Sequence, residues 1–134
     1  MGAAIARVVQ PGDVIGLKGE LGAGKTSLAR AILQALGYAA EIPSPSFAIV
    51  QPYEPPEVRV PVWHVDLYRL ESLDEVEELG LEEACADHAL LIEWPERLAA
   101  RWQDMLLLHI TGEGALRRLT ADVPPAWESR WTLT

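Results

Sequence analysis

Val14-Ile15-Gly16-Leu17-Lys18-Gly19-Glu20-Leu21-Gly22-Ala23-Gly24-Lys25-Thr26-Ser27 runs from a short apolar stretch through a glycine-rich turn to the start of an amphipathic segment. Val14 to Lys18, after the turn at Gly12-Asp13, reads as a short buried strand. On the far side, Leu28, Ala31, Ile32, Ala35 and Leu36 fall at i, i+3, i+4, i+7 and i+8. That spacing predicts a helix over 27–36 with one apolar face, stopped by Gly37. Between the two lies Gly-x-x-x-x-Gly-Lys-Thr, Gly19 to Thr26. A strand before this motif and a helix after it is the context a phosphate-binding loop requires.

The residue types suit that chemistry. Glycines let the main chain wrap closely around phosphate oxygens. Amides from about Ala23 to Ser27 point inward, and the helix N-terminus adds partial positive charge. Lys25 would reach the β- and γ-phosphates, and the Thr26 hydroxyl would ligate Mg2+. Gly22, Ala23, Gly24, Lys25, Thr26 and Ser27 are therefore the candidate nucleotide-binding residues. A glycine-rich turn carrying Lys-Thr by chance is the competing reading, and the flanking strand and helix argue against it.

Farther along, Ile42-Pro43-Ser44-Pro45-Ser46 is excluded from helix interior by its prolines. Phe47 to Tyr53 and Val58 to Val65 read as hairpin partners around Glu54-Pro55-Pro56-Glu57, with Pro52 placing the first at an edge. Asp74 to Leu79 reads as an acidic surface helix interrupted by Gly80, and Leu81 to Ala86 also looks helical. Ala89-Leu90-Leu91-Ile92 suits a buried parallel strand. Pro95 to Trp102 reads as a helix begun by proline. Met105 to Ile110 and Arg117 to Val123 read as a closing hairpin, and Trp127 with Trp131 as a short docking helix. Strands that alternate with helices and then pair antiparallel predict a mixed sheet with helices on its faces. The 134 residues fit one domain, spanning 1–134.

The formal net charge is −9, with 11 basic and 20 acidic residues, so most of the surface repels a phosphate backbone and direct nucleic-acid binding is disfavoured. No apolar run is long enough to span a bilayer. Met1 to Gln10 lacks the apolar core of a secretory signal, so no membrane partner and a reducing cytoplasm are expected. The one cysteine, Cys85, reads as a half-buried packing thiol. His88 and His109 have no zinc-ligand spacing with it.

A nucleotide site of this kind needs a carboxylate at the end of a strand next to the loop. Asp66 follows Val62-Trp63-His64-Val65, and Glu93 follows Leu90-Leu91-Ile92. Either could hold the metal or orient water; a surface acid at a strand end is the plain alternative. Ser46, in a proline-stiffened loop, is a candidate to approach the γ-phosphate or Mg2+. His64 reads as a strand histidine hydrogen-bonded within the fold. Trp94, at the rim, covers the nucleotide, contacts a partner or wedges between sheet and helix. Trp63 and Trp102 read as core.

Gly19 to Thr26, Ser44-Pro45-Ser46-Phe47, His64-Val65-Asp66-Leu67-Tyr68-Arg69-Leu70 and Ile92-Glu93-Trp94-Pro95-Glu96 occur in this order. From about Gly12 to Leu98 the chain resembles the bacterial TsaE (YjeE) family of tRNA N6-threonylcarbamoyladenosine biosynthesis. The resemblance implies an α/β fold, a P-loop NTPase-like three-layer sandwich with a mixed sheet. It implies binding of ATP or ADP with Mg2+ and weak hydrolysis. It also implies work with a heterodimer of TsaD and TsaB proteins, which the ATPase resets between turnovers, with tRNA met only through that complex. By the same resemblance Lys25 serves the phosphates, Thr26 and Glu93 hold Mg2+, Asp66 is needed for hydrolysis, and Arg118 contacts nucleotide. Ser46 stands where threonine is common, and a hydroxyl is kept. The family usually carries more residues before the first strand, so adenine recognition is expected to be weakened or supplied differently here. A small-molecule kinase using the same loop, and a nucleotide sensor that does not turn over, are the rival functions.

Overall fold

The structure is a computed structural model and describes residues 2–20, 24–42, 49–98, 104–113 and 116–131. Along the chain run α1 (Gly2–Val8), β1 (Val14–Lys18), α2 (Lys25–Ala35), β2 (Val50–Tyr53) and β3 (Val62–Asp66). Then come α3 (Leu73–Glu78), α4 (Leu81–Ala84), β4 (Ala89–Glu93), a 3-10 turn (Pro95–Leu98), β5 (Leu106–Glu113), β6 (Leu116–Asp122) and α5 (Pro125–Glu128). The strands form one six-stranded sheet in the order β2-β3-β4-β1-β5-β6. β3, β4, β1 and β5 are parallel neighbours, while β2 and β6 close the edges antiparallel. The sheet is therefore mixed, in agreement with the sequence reading.

Alternation along the strands separates two apolar layers. Ile15 and Leu17 of β1, Ala89 and Leu91 of β4, and Val62 of β3 pack with Ile5 and Ala6 of α1, with Ala29, Ile32 and Leu33 of α2, and with Trp127 of α5. Val14, Leu90, Ile92 and Val65 point the other way, onto Val76 of α3, Leu81 and Ala84 of α4, and Leu98. Helices thus cover both faces, giving three layers. Gly16 has no room for a side chain: a Cβ there would lie 2.7 Å from Met105 Sδ and 3.0 Å from Pro95 Cβ. The missing side chain lets the turn after β4 settle against the middle of β1.

Several boundaries differ from the sequence reading. The first ten residues were expected only to lack a secretory signal, yet Gly2–Val8 forms α1. Ile5, Ala6 and Val9 are buried, and a Cβ on Gly2 would lie 2.8 Å from Ala31 Cβ, so α1 sits tightly on α2. β3 begins at Val62, not Val58, because Pro61 has no amide for a ladder. The expected helix from Pro95 is a 3-10 turn to Leu98; Ala99 to Gln103, including Trp102, lie outside the described residues, as does Phe47. Gly80, at φ 72°, separates α3 from α4 as expected. Trp63 is half-buried on the α3–α4 side rather than deep in the core.

The C-terminal segment is tied down by Arg130. Its guanidinium donates to both Asp13 carboxylate oxygens at 2.7 and 2.9 Å and to the Val8 carbonyl at 2.9 Å. Trp127 beneath it is 1% exposed, so α5 docks as the tryptophan spacing suggested. Among the described residues no helix is long and apolar enough to cross a membrane.

Candidate functional site

Sheet geometry assembles the site from three elements. In β4, Ala89 and Leu91 face α2, so period two sends Glu93 to the same side. In β3, Val62 faces that way, and His64 and Asp66 follow. Asp66 and Glu93 lie directly opposite each other in the β3–β4 register. Both carboxylates are buried, at 8% and 3% exposure. The two acids that the sequence offered as alternatives are thus neighbours in one place.

The third element is the start of α2. Gly24 takes φ 108°, a left-handed conformation open to glycine, and Lys25 opens the helix immediately after it. The Thr26 hydroxyl, in the first turn, donates toward the Glu93 carboxylate, 2.8 Å from Oε1 and 3.0 Å from Oε2. His64 Nε2 lies 2.7 Å from Glu93 Oε2. Lys25 is only 5% exposed and donates to the carbonyls of Gly19 at 2.6 Å and Glu20 at 2.8 Å. Burial holds its pKa below the ordinary lysine value, while Glu93, Glu96 and Asp66 pull it back up.

Trp94 completes the rim. It adopts φ 62°, unusual for a residue with a side chain. The Lys25 ammonium sits 4.4 Å from the centre of its ring, and the Tyr68 ring packs 4.8 Å away. Tyr68 is 42% exposed, and its amide donates to Asp66 Oδ1 at 2.9 Å. The structure places Trp94 over the lysine, a contact outside the three readings that the sequence offered for it. Tyr68 stood in the quoted segment after Asp66, but neither its packing on Trp94 nor the lysine contact carried a sequence signal.

Among the other candidates, Ser27 is exposed on α2. Gly22, Ala23 and Ser46 lie outside the described residues. Arg118 is exposed on β6 opposite Thr111, two positions beyond the end of the β1–β5 pairing at His109. It therefore lies at the loop end of the sheet, but no described hydrogen bond joins it to the Lys25–Glu93 cluster. Cys85 is half-buried, and its thiol donates to the Gly12 carbonyl at 3.2 Å. Its pKa is raised by burial and by Asp13. A cavity of about 270 Å³, lined by Val76, Leu81 and Leu98 with Glu77, Glu82 and Glu83, lies on the opposite face of the sheet and shares nothing with these groups.

The donor set fits Mg2+ bound together with phosphate. Thr26 and Glu93 offer hard oxygens side by side. Among the described residues no cluster of three His, Cys, Asp or Glu stands ready to cage an ion. Mg2+ in nucleotide sites takes one or two protein oxygens and fills the rest of its octahedron with phosphate and water.

The family model for "Threonylcarbamoyl adenosine biosynthesis protein TsaE" matches residues 1–119. The chain belongs to the TsaE family. The tRNA threonylcarbamoyladenosine biosynthesis protein TsaE of Streptomyces coelicolor is 38% identical over 112 residues, covering 82% of this chain and 76% of that protein. The protein of the same name from Synechocystis sp. is 45% identical over 102 residues, covering 72% of this chain and 63% of its own length. That from Bacillus subtilis is 40% identical over 90 residues, and the matched part is 54% of it. The chain thus spans less than two thirds of the length of the last two. The crystal structure of Bacillus subtilis YdiB superposes with a TM-score of 0.77 at 27% identity, over 96% of this chain and 80% of that one. The α/β architecture expected from the sequence is therefore shared with a solved structure.

Proposed function

We propose that this chain is a Mg2+-dependent ATPase acting in tRNA threonylcarbamoyladenosine biosynthesis. One observation carries the reading: the Thr26 hydroxyl, at the start of the helix after the glycine loop, meets the buried Glu93 carboxylate at 2.8 Å, with Asp66 beside it. Family membership supplies the pathway. A phosphate-binding helix start facing strand-end acids supplies the chemistry.

In this reading Lys25 turns from the Gly19 and Glu20 carbonyls to the β- and γ-phosphates of ATP. Loop amides and the α2 N-terminus stabilise the same charge. Thr26 and Glu93 hold Mg2+, which when bound neutralises charge on the phosphate oxygens. Asp66, next to Glu93, orients the attacking water. Arg118, at the loop end of the sheet, and Ser46 serve as further nucleotide contacts in this reading. The partners are TsaD and TsaB proteins, whose heterodimer the ATPase resets between turnovers in the cytoplasm. With a net charge of −9 the chain meets tRNA only through them.

Phosphate release from ATP, measured with and without the TsaD–TsaB pair, tests the assignment. Lys25→Ala and Glu93→Ala should each lower it by about a hundredfold or more with the fold intact, the scale of losing a transition-state donor. Undiminished turnover in either folded variant would remove the site. Transfer of phosphate to a small-molecule acceptor instead of water would make the protein a kinase. Tight ADP binding with no phosphate release beside the partners would make it a sensor.

A further inference from the structure

His64 is a fully buried polar side chain that the reading above does not use. It is 0% exposed, with Leu91 as its β4 neighbour and Gln51 as its β2 neighbour. An imidazole placed there costs desolvation that an aliphatic side chain would not. Its one described hydrogen bond reaches diagonally to Glu93, two positions along β4 from Leu91, at 2.7 Å. Nδ1 is buried and has no hydrogen-bond partner among the described residues. A hydrogen on Nδ1 would be an unpaired buried donor, whereas a hydrogen on Nε2 points at a carboxylate. The surroundings therefore fix which nitrogen donates and where.

We propose that His64 is a positioning residue that sets the Glu93 carboxylate for a divalent cation. The proposal rests on the reading that Thr26 and Glu93 hold Mg2+. A glutamate at a strand end has several rotatable bonds, and the Thr26 hydroxyl is within reach of both of its oxygens. His64 touches only Oε2. It thereby fixes the rotation of the carboxylate and leaves Oε1 on the Thr26 side, where the cation would share the two oxygens. This is the division of labour by which outer groups orient a metal ligand, and losing such a group costs about 10–100-fold in metal affinity.

The test is ADP binding titrated over a range of Mg2+ concentrations and in EDTA, on the full chain. His64→Leu fills the space without a donor. His64→Gln places an amide nitrogen at the reach of Nε2, and His64→Asn places one only at the reach of Nδ1. Thermal melts establish which variants are folded, and the two amides carry the comparison by themselves if the leucine variant does not fold. His64→Leu and His64→Asn should need about tenfold or more Mg2+ for the same tightening of ADP binding. His64→Gln should return to within about threefold of wild type, and affinity in EDTA should be unchanged throughout. A wild-type Mg2+ requirement in folded His64→Asn, or equal losses with and without Mg2+, would overturn the positioning role. Glu93→Gln separates the two layers: if it leaves the Mg2+ requirement untouched, the metal assignment itself fails, whatever His64 does.

Discussion

Thr26→Val is the substitution that most directly separates the Thr26–Glu93 contact from the shape that holds it. Valine matches threonine in volume and branching but has no hydroxyl. The bond it removes runs to a carboxylate that is 3% exposed and leaves Glu93 with His64 as its remaining described donor. Hydrogen bonds to charged groups are worth about 1.5–3 kcal/mol, and the half-buried position of Thr26 puts this one near 1.5 kcal/mol. Unfolding entropy of about 2 cal/mol/K per residue over 134 residues gives about 0.3 kcal/mol/K, so the melting temperature should fall by about 5 °C. Thr26→Ser keeps the hydroxyl and should recover most of that. Calorimetric melts of the nucleotide-free protein measure this half of the prediction. The other half is ADP binding with Mg2+ and with EDTA: Thr26→Val should lose the Mg2+-dependent part and keep the rest. A melting temperature within about 1 °C of wild type, together with undiminished Mg2+ dependence, would refute the geometry on which the site is built.

Gly16→Ala should destabilise the protein by about 1–3 kcal/mol, read by urea denaturation, because the new methyl meets Pro95, which cannot yield, and Met105, which can. Adding Met105→Ala should recover only the flexible part of that loss. A pH effect is expected at the other end of the sheet, where His88 bonds Glu54 and Asp87, each at 2.7 Å. Burial lowers its pKa, but the two carboxylates together outweigh burial and hold it above the ordinary 6.5. A raised folded pKa means stability that is complete below about pH 6.5 and lost as pH rises through the folded value. The gap in melting temperature between wild type and His88→Gln should therefore be widest in mild acid and close in alkali. It should stay under about 1 kcal/mol, since both carboxylates are largely exposed.

The central strands and α2 were legible because their signals are local: short apolar runs, a helical period and a glycine motif that needs both. The pairing of Asp66 with Glu93 was half legible. Each acid announced itself after an apolar strand, but their adjacency depends on the order β3-β4-β1, which no local pattern encodes. His64 was read as a hydrogen-bonded strand histidine, and that holds. Its partner was hidden, because a diagonal contact between strands requires the register. α1 was missed although Gly2, Ile5, Ala6 and Val9 keep helical spacing, since small residues give a weak apolar stripe. The strand expected from Val58 started late because a buried valine, 1% exposed, serves the core from a turn as well as from a strand.

The grip of Lys25 on the carbonyls of its own loop has a kinetic side. An ammonium held by two backbone oxygens and an indole face is already solvated by protein, so under the proposed function an arriving phosphate would have to win it in competition with neighbours that never diffuse away. Release is helped by the same neighbours, which can reclaim the ammonium as soon as the anion loosens. Such an exchange favours an occupant that comes and goes over one that stays, and stiffening or weakening either rival should change residence time before it changes which molecule is held.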